Sequence, residues 1–132
     1  ILRDPSTIPA KASRMIIPNI FESQTQPETW TAGSIIFQEG QPGDEMYIVK
    51  QGEVELRVHG RIVEVVGPEG FFGEMAVIEG GQRSATALAE SDCVLMPVNL
   101  KRFEFMVHEI PSFAVEVMRG LARRLRSFNE SV

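Results

Sequence analysis

From Thr29 to Pro97 the chain is written in short apolar and β-branched runs broken by glycine. Ile35, Ile36 and Phe37 fill Ser34–Gln38, and Met46, Tyr47, Ile48 and Val49 fill Glu45–Lys50. In Glu53–Val58 the apolar Val54, Leu56 and Val58 alternate with Glu53, Glu55 and Arg57, the period of a half-buried strand. His59-Gly60 supplies a two-residue turn into Ile62–Val66, which predicts a hairpin. Ala85–Glu90 and Cys93–Val98 complete the series. Short strands at this spacing, with no helices between them, predict a sandwich or barrel.

At Asn99 the period becomes helical. Asn99 can cap a run over Leu100–His108, and Pro111 suits the first turn of a second helix. In that helix Phe113, Val117, Leu121, Leu125 and Phe128 recur at spacings of four and three, which predicts one apolar face. Arg119, Arg123, Arg124 and Arg126 crowd its second half, where solvated arginines complement the helix dipole. Residues 1–28 hold Pro5, Pro9, Pro18 and Pro27 and read as an arm with at most a short helix around Pro9–Met15. The expected division is an arm over 1–28, a β-barrel over 29–98 and helices over 99–132.

A chain of 132 residues fits one domain with one core. The net charge of −5 opposes non-specific binding to nucleic acid, which depends on neutralising phosphates. No apolar run is long enough to span a bilayer. The single thiol, Cys93, can form neither an internal disulfide nor a four-cysteine metal site; a buried thiol in a reducing, cytoplasmic compartment is expected. The opening Ile1-Leu2-Arg3-Asp4-Pro5 has no initiator Met and no basic-then-apolar signal order, so the chain reads as an excised piece, with a stand-alone receiver as the alternative.

The chemistry is concentrated in FFGEMAVIEGGQRSATA, Phe71 to Ala87. Gly73 permits close approach of the backbone to a ligand. Glu74–Ile78 can form one helical turn whose free N–H groups face an anion. Gly80-Gly81 can bring Arg83 back towards that turn, where its planar fork suits two phosphate oxygens. Glu74 is an acceptor for a sugar hydroxyl. Together they describe a phosphosugar pocket.

This segment resembles the phosphate-binding cassette of the cyclic-nucleotide-binding domain family, which includes the bacterial catabolite activator protein, regulatory subunits of cAMP-dependent kinase and cyclic-nucleotide-gated channels. AGSIIFQEGQPGDEMYIVKQGEVEL, Ala32 to Leu56, resembles the family too, with glycines 33, 40, 43 and 52 in its turns. The resemblance extends from about Thr29 to Phe128. It implies a mainly β fold, a jelly-roll-like β-barrel (double-stranded β-helix) with a short phosphate-binding helix and C-terminal helices. It implies a ligand site of Gly73, Glu74, Met75, Ala76, Arg83, Ser84 and Ala85: Glu74 and the Gly73 backbone on the ribose 2′-hydroxyl, Arg83 on the cyclic phosphate, and N–H groups of Ala76, Ser84 and Ala85 beside it. Ser84 is compatible with cAMP and with cGMP. The purine would pack on residues such as Val63 under a lid drawn from Arg124, Leu125 or Phe128. The family's helical bundle before the barrel is replaced here by the proline-rich arm, and no helix-turn-helix follows the last helix.

The implied function is a regulatory module that binds cAMP or cGMP and signals through its C-terminal helix, with no cofactor, no metal and no direct contact with nucleic acid. Part of the last helix is expected to meet a second copy of the chain. The alternative is a structural or dimerising domain of the same fold without nucleotide. A haem sensor finds no support in His59 and His108, which are not spaced as a ligand pair, and the histidines of a metal-binding cupin are missing. No Walker sequence, dinucleotide fingerprint or zinc-ligand spacing suggests an enzyme.

Overall fold

The computed structural model describes residues 26–130, with side chains as far as Ser127. Residues 1–25 of the expected arm, with its short helix, lie outside the described residues, as does the side chain of Phe128, and Glu28 at the arm's end already belongs to the first strand. Eight strands and three helices follow in order: β1 (Glu28–Trp30), β2 (Ile35–Phe37), β3 (Glu45–Gln51), β4 (Val54–Val58), β5 (Arg61–Val66), β6 (Phe71–Phe72), α1 (Glu74–Ile78), β7 (Thr86–Ala89), β8 (Cys93–Asn99), α2 (Leu100–Glu109) and α3 (Pro111–Glu130). They form two four-stranded antiparallel sheets, ordered β1-β8-β3-β6 and β2-β7-β4-β5. The fold is mainly β and of jelly-roll type, but the sheets do not close into the expected barrel. They stack as an open sandwich, because three of the four edge strands, β1, β2 and β6, have only two or three residues, too short to carry a ladder from one sheet to the other.

Strand β3 is apolar on both faces because it separates two cores. Tyr47 and Val49 point between the sheets towards Phe37, Phe72 and Leu95. Met46 and Ile48 point the other way, onto Phe71, Met106, Phe113 and Val117 under the helices. The same alternation divides Phe72 from Phe71 in β6, so this two-residue strand contributes a ring to each core. Neither β1 nor β6 carries a strand-length apolar pattern, and the sequence alone indicates neither.

The β4–β5 hairpin turns as expected at His59-Gly60, both at positive φ (52° and 82°), the two-residue geometry that matches strand twist. Asn99 caps α2, accepting from the Arg102 N–H at 2.9 Å. The last helix departs from expectation. Phe113 and Val117 are buried, but Leu125 is 62% exposed. A helix advances about 100° per residue, so eleven residues from Phe113 return to nearly the same side and twelve do not. Gly120 and Arg124 therefore share the sandwich-facing side with Phe113 and Val117. Leu125 falls with the exposed Val115 and Met118 on the far side.

Candidate functional site

Strand β6 ends at Phe72 and hands the chain to Gly73, whose φ of 82° and ψ of 9° lie in the left-handed region that glycine adopts without strain. A Cβ there would come within 3.0 Å of Arg83 Nη1 and 3.3 Å of the Glu45 carbonyl oxygen. The turn of α1 begins at once with Glu74, a carboxylate only 3% exposed; Ala76 is buried and Met75 half-buried.

Gly80 and Gly81, at φ of 74° and 108°, then reverse the chain. The returning strand is tied to the 40–43 loop: the Arg83 N–H donates to the Gln41 carbonyl at 2.7 Å and the Gly40 N–H to the Arg83 carbonyl at 2.9 Å. Arg83 is thereby placed beneath Gly73. Its Nη1 donates to the carbonyls of Glu45 at 2.6 Å and Gly73 at 3.3 Å, and its guanidinium carbon lies 4.0 Å above the centre of the Phe37 ring. Arg83 Nε is buried with no hydrogen-bond partner among the described residues. Burial pulls the Arg83 pKa below its usual range, against the attraction of Tyr47, Asp44 and Glu45. Gly43 makes the room, since a Cβ there would stand 2.1 Å from Arg83 Nε. Ser84 is exposed and Ala85 half-buried where the chain enters β7.

The opposite wall comes from α3. Arg124 Nη1 donates to Glu74 Oε1 at 2.6 Å, while Nε and Nη2 donate to the two oxygens of Glu64 on β5 at 2.7 and 3.2 Å. Nη2 also donates to the Phe71 carbonyl, and the guanidinium lies 5.0 Å from the centre of the Phe71 ring. Burial alone would lower the Arg124 pKa, but Glu74 and Glu64 outweigh it and hold the group above its usual range. Arg124 is therefore not the solvated, dipole-complementing arginine that helix position suggests. Arg119 is closer to that description, exposed and paired with Glu116 at 3.2 Å.

Of the sequence-derived site residues, Gly73, Glu74 and Arg83 are brought into one cluster, with Ala76 in the same turn. Arg124 joins them; Leu125, the second lid candidate, points away. Val63 is 52% exposed and is the extra residue of a bulge in β5, where Leu56 faces Glu64 and Arg57 faces Ile62. Sequence reasoning missed Glu64, which reads as one more polar position in an alternating strand, and the supporting roles of Gly43, Glu45 and Phe37. Nothing local in the sequence signals them, because each acts across 38 to 60 residues of chain.

A left-handed glycine, a buried carboxylate, the buried guanidinium of Arg83 and the half-buried one of Arg124 meet around one short helix on a jelly roll. The sequence profile of the cyclic nucleotide-binding domain matches residues 27–109. The chain belongs to the cyclic nucleotide-binding domain family. It is 29% identical over 114 residues to a CRP-like cAMP-activated global transcriptional regulator of Mycobacterium tuberculosis, with 83% of this chain and 51% of that protein covered. It is 36% identical over 98 residues to a cyclic nucleotide-gated potassium channel of Mesorhizobium japonicum, covering 74% of this chain and 27% of the channel. The crystal structure of the Thermus thermophilus catabolite activator protein superposes with a TM-score of 0.75 at 31% identity, over 86% of this chain and 55% of that one. The chain thus spans about half the length of the regulators it matches. Among the described residues no helix is long and apolar enough to cross a membrane, and no group of three or more His, Cys, Asp or Glu side chains is placed to hold a metal ion.

Proposed function

We propose that this chain is a cytoplasmic regulatory module that binds cAMP or cGMP and transmits occupancy through α3. The observation that carries the reading is the placement of Arg83 and Arg124 on either side of the Gly73-Glu74 turn, with one guanidinium available to a cyclic phosphate and Glu74 to a sugar hydroxyl. Arg83 makes its present bonds to neutral carbonyls, and its Nε lies buried without a partner among the described residues. An anionic ligand gives such a cation more than carbonyl dipoles do. The ligand-binding set is Gly73, Glu74, Met75, Ala76, Arg83, Ser84 and Ala85, with the N–H groups of Ala76, Ser84 and Ala85 on the phosphate. The module acts by binding rather than turnover, and its signal is the difference in affinity between two positions of α3.

Calorimetric titration with cAMP, cGMP and linear 5′-AMP tests this directly. One or both cyclic nucleotides should bind and 5′-AMP should bind more weakly, since a dianionic monoester has another shape and charge. The absence of heat and of any melting shift at millimolar cyclic nucleotide would sink the receptor reading. A dimerising role is favoured by one separate observation, the exposed stripe of Val115, Met118 and Leu125 on the outer side of α3.

A further inference from the structure

We propose that Glu64 is a positioning residue of the sugar site, holding Arg124 so that Arg124 and Glu74 together recognise the 2′-hydroxyl of a cyclic ribonucleotide. This rests on the reading of Glu74 as the sugar acceptor and adds to it the group that makes the site selective for ribose.

A guanidinium has five N–H groups. Nε and one hydrogen of Nη2 are taken by the two oxygens of Glu64, the other hydrogen of Nη2 by the Phe71 carbonyl, and one of Nη1 by Glu74 Oε1. Among the described residues one Nη1 hydrogen is left beside Glu74, whose Oε2 takes no part in the contact with Arg124. A hydroxyl both donates and accepts. The 2′-hydroxyl can give its proton to Glu74 Oε2 and receive the remaining Nη1 hydrogen, so that each charged partner is met. A 2′-deoxy sugar offers neither half.

Glu64 is what keeps Arg124 in this pose. The Glu64 contact is side-on and two-pronged, the geometry that fixes the plane of a guanidinium. It uses the Nε edge and leaves only Nη1 to reach Glu74. Without it, Arg124 is free to turn its own fork onto both oxygens of Glu74, which removes the acceptor the sugar needs. The β5 bulge places Glu64 for this, opposite Leu56 in the register, and the side chain is about one-third exposed while that of Glu74 is 4% exposed.

The test compares cAMP with 2′-deoxy-cAMP, and cGMP with 2′-deoxy-cGMP, by calorimetry on the unaltered chain and on Glu64→Gln, Glu64→Ala and Arg124→Gln. The unaltered chain should favour the ribonucleotide by about ten- to a hundredfold, the size of a charge-assisted hydrogen bond. Each variant should reduce that ratio towards one by losing affinity for the ribonucleotide, with the deoxynucleotide changed by less than about threefold. Glu64→Gln combined with Arg124→Gln should add little to either single change, as for groups acting as one unit. If both Glu64 variants keep the full ratio, or lower both nucleotides alike, Glu64 is only structural and the proposal is wrong. Glu64→Gln preserves shape and supplies the answer if the alanine variant does not fold. If the unaltered chain binds no cyclic nucleotide, the receptor reading falls first and takes this one with it.

Discussion

Arg83 occupies a space shaped for one side chain. Arg83→Ala should weaken cyclic-nucleotide binding by about 1.5–3 kcal/mol, the worth of a hydrogen bond to a charged group, and Arg83→Lys should recover only part because an ammonium lacks the planar fork. The sequence marks this arginine as a ligand group alone. Its two carbonyl bonds and its place on Phe37 add a structural cost of about 1 kcal/mol or more, visible as a lower melting temperature. Unchanged nucleotide affinity in Arg83→Ala would remove the central assignment. Gly43→Ala probes the same space from the other side: the added methyl meets the guanidinium end of Arg83, which must move, so affinity should fall further than thermal stability does. Tyr47, close to these charges, carries the pH response. Burial first, then the carboxylates of Glu28 and Glu45, push its phenol up to about 12. A raised pKa favours the protonated form in the folded chain, so the contribution is complete below the ordinary value near 10 and is lost as pH climbs to about 12. Melting temperatures between pH 9 and 12 should fall more steeply for the unaltered chain than for Tyr47→Phe, and parallel curves would contradict the assignment.

At the scale of elements, α3 joins the helix layer to the site. Its apolar anchors, Phe113 and Val117, are buried well before Arg124. Deleting Arg124–Val132 should therefore leave the sandwich folded and speed nucleotide dissociation; equal dissociation rates for full and shortened chains would mean that this segment does not retain the ligand. Gly120 sets how closely α3 lies on β6, since a Cβ there would stand 2.4 Å from the Phe71 ring. In Gly120→Ala the gain in helix propensity of about 1 kcal/mol opposes the steric cost. The displacement of α3 should lengthen the Arg124–Glu74 contact and weaken nucleotide binding, as read by titration. These elements differ in how far the sequence exposes them. The β4–β5 hairpin, the Asn99 cap and the Pro111 start are local signals and are legible. The face of α3 is not, because spacings of four and three cannot separate Leu125 from Arg124 until the contact with β6 fixes the helix's rotation. Glu64 is invisible for a related reason: its meaning depends on a partner 60 residues away.

Over the whole molecule, the sequence conveys a β fold with helices after it because the period changes from two to 3.6 near Asn99. It does not convey that the sheets remain open, since closure depends on edge strands as short as Phe71–Phe72. The outer side of α3, Val115, Met118 and Leu125, is exposed and repeats at three and seven residues, a spacing that suits the proposed packing of two helices from separate copies. Leu125→Glu combined with Met118→Glu should abolish self-association in sedimentation without changing the melting temperature by more than a few degrees. A chain that sediments as a monomer at all concentrations before substitution would refute the second-copy interface. The chain should not retard DNA sequence-specifically in a gel, given its charge of −5.

Arg124 also has a mechanical meaning. It grips Glu64 in one sheet, the Phe71 carbonyl in the other, and Glu74 in the helix between them. It does so six residues, roughly 9 Å, before the end of α3 at Glu130. Tension applied to the end of that helix meets both sheets at this side chain, as at a rivet, before it reaches the buried Phe113 and Val117. In a single-molecule pulling experiment from the C-terminal side, the first rupture should therefore be the parting of α3 from the sandwich. Saturating cyclic nucleotide, by adding a second hold on Glu74 and Arg124, should raise the force at which it occurs; an identical rupture force with and without nucleotide would show that the rivet and the pocket bear load independently.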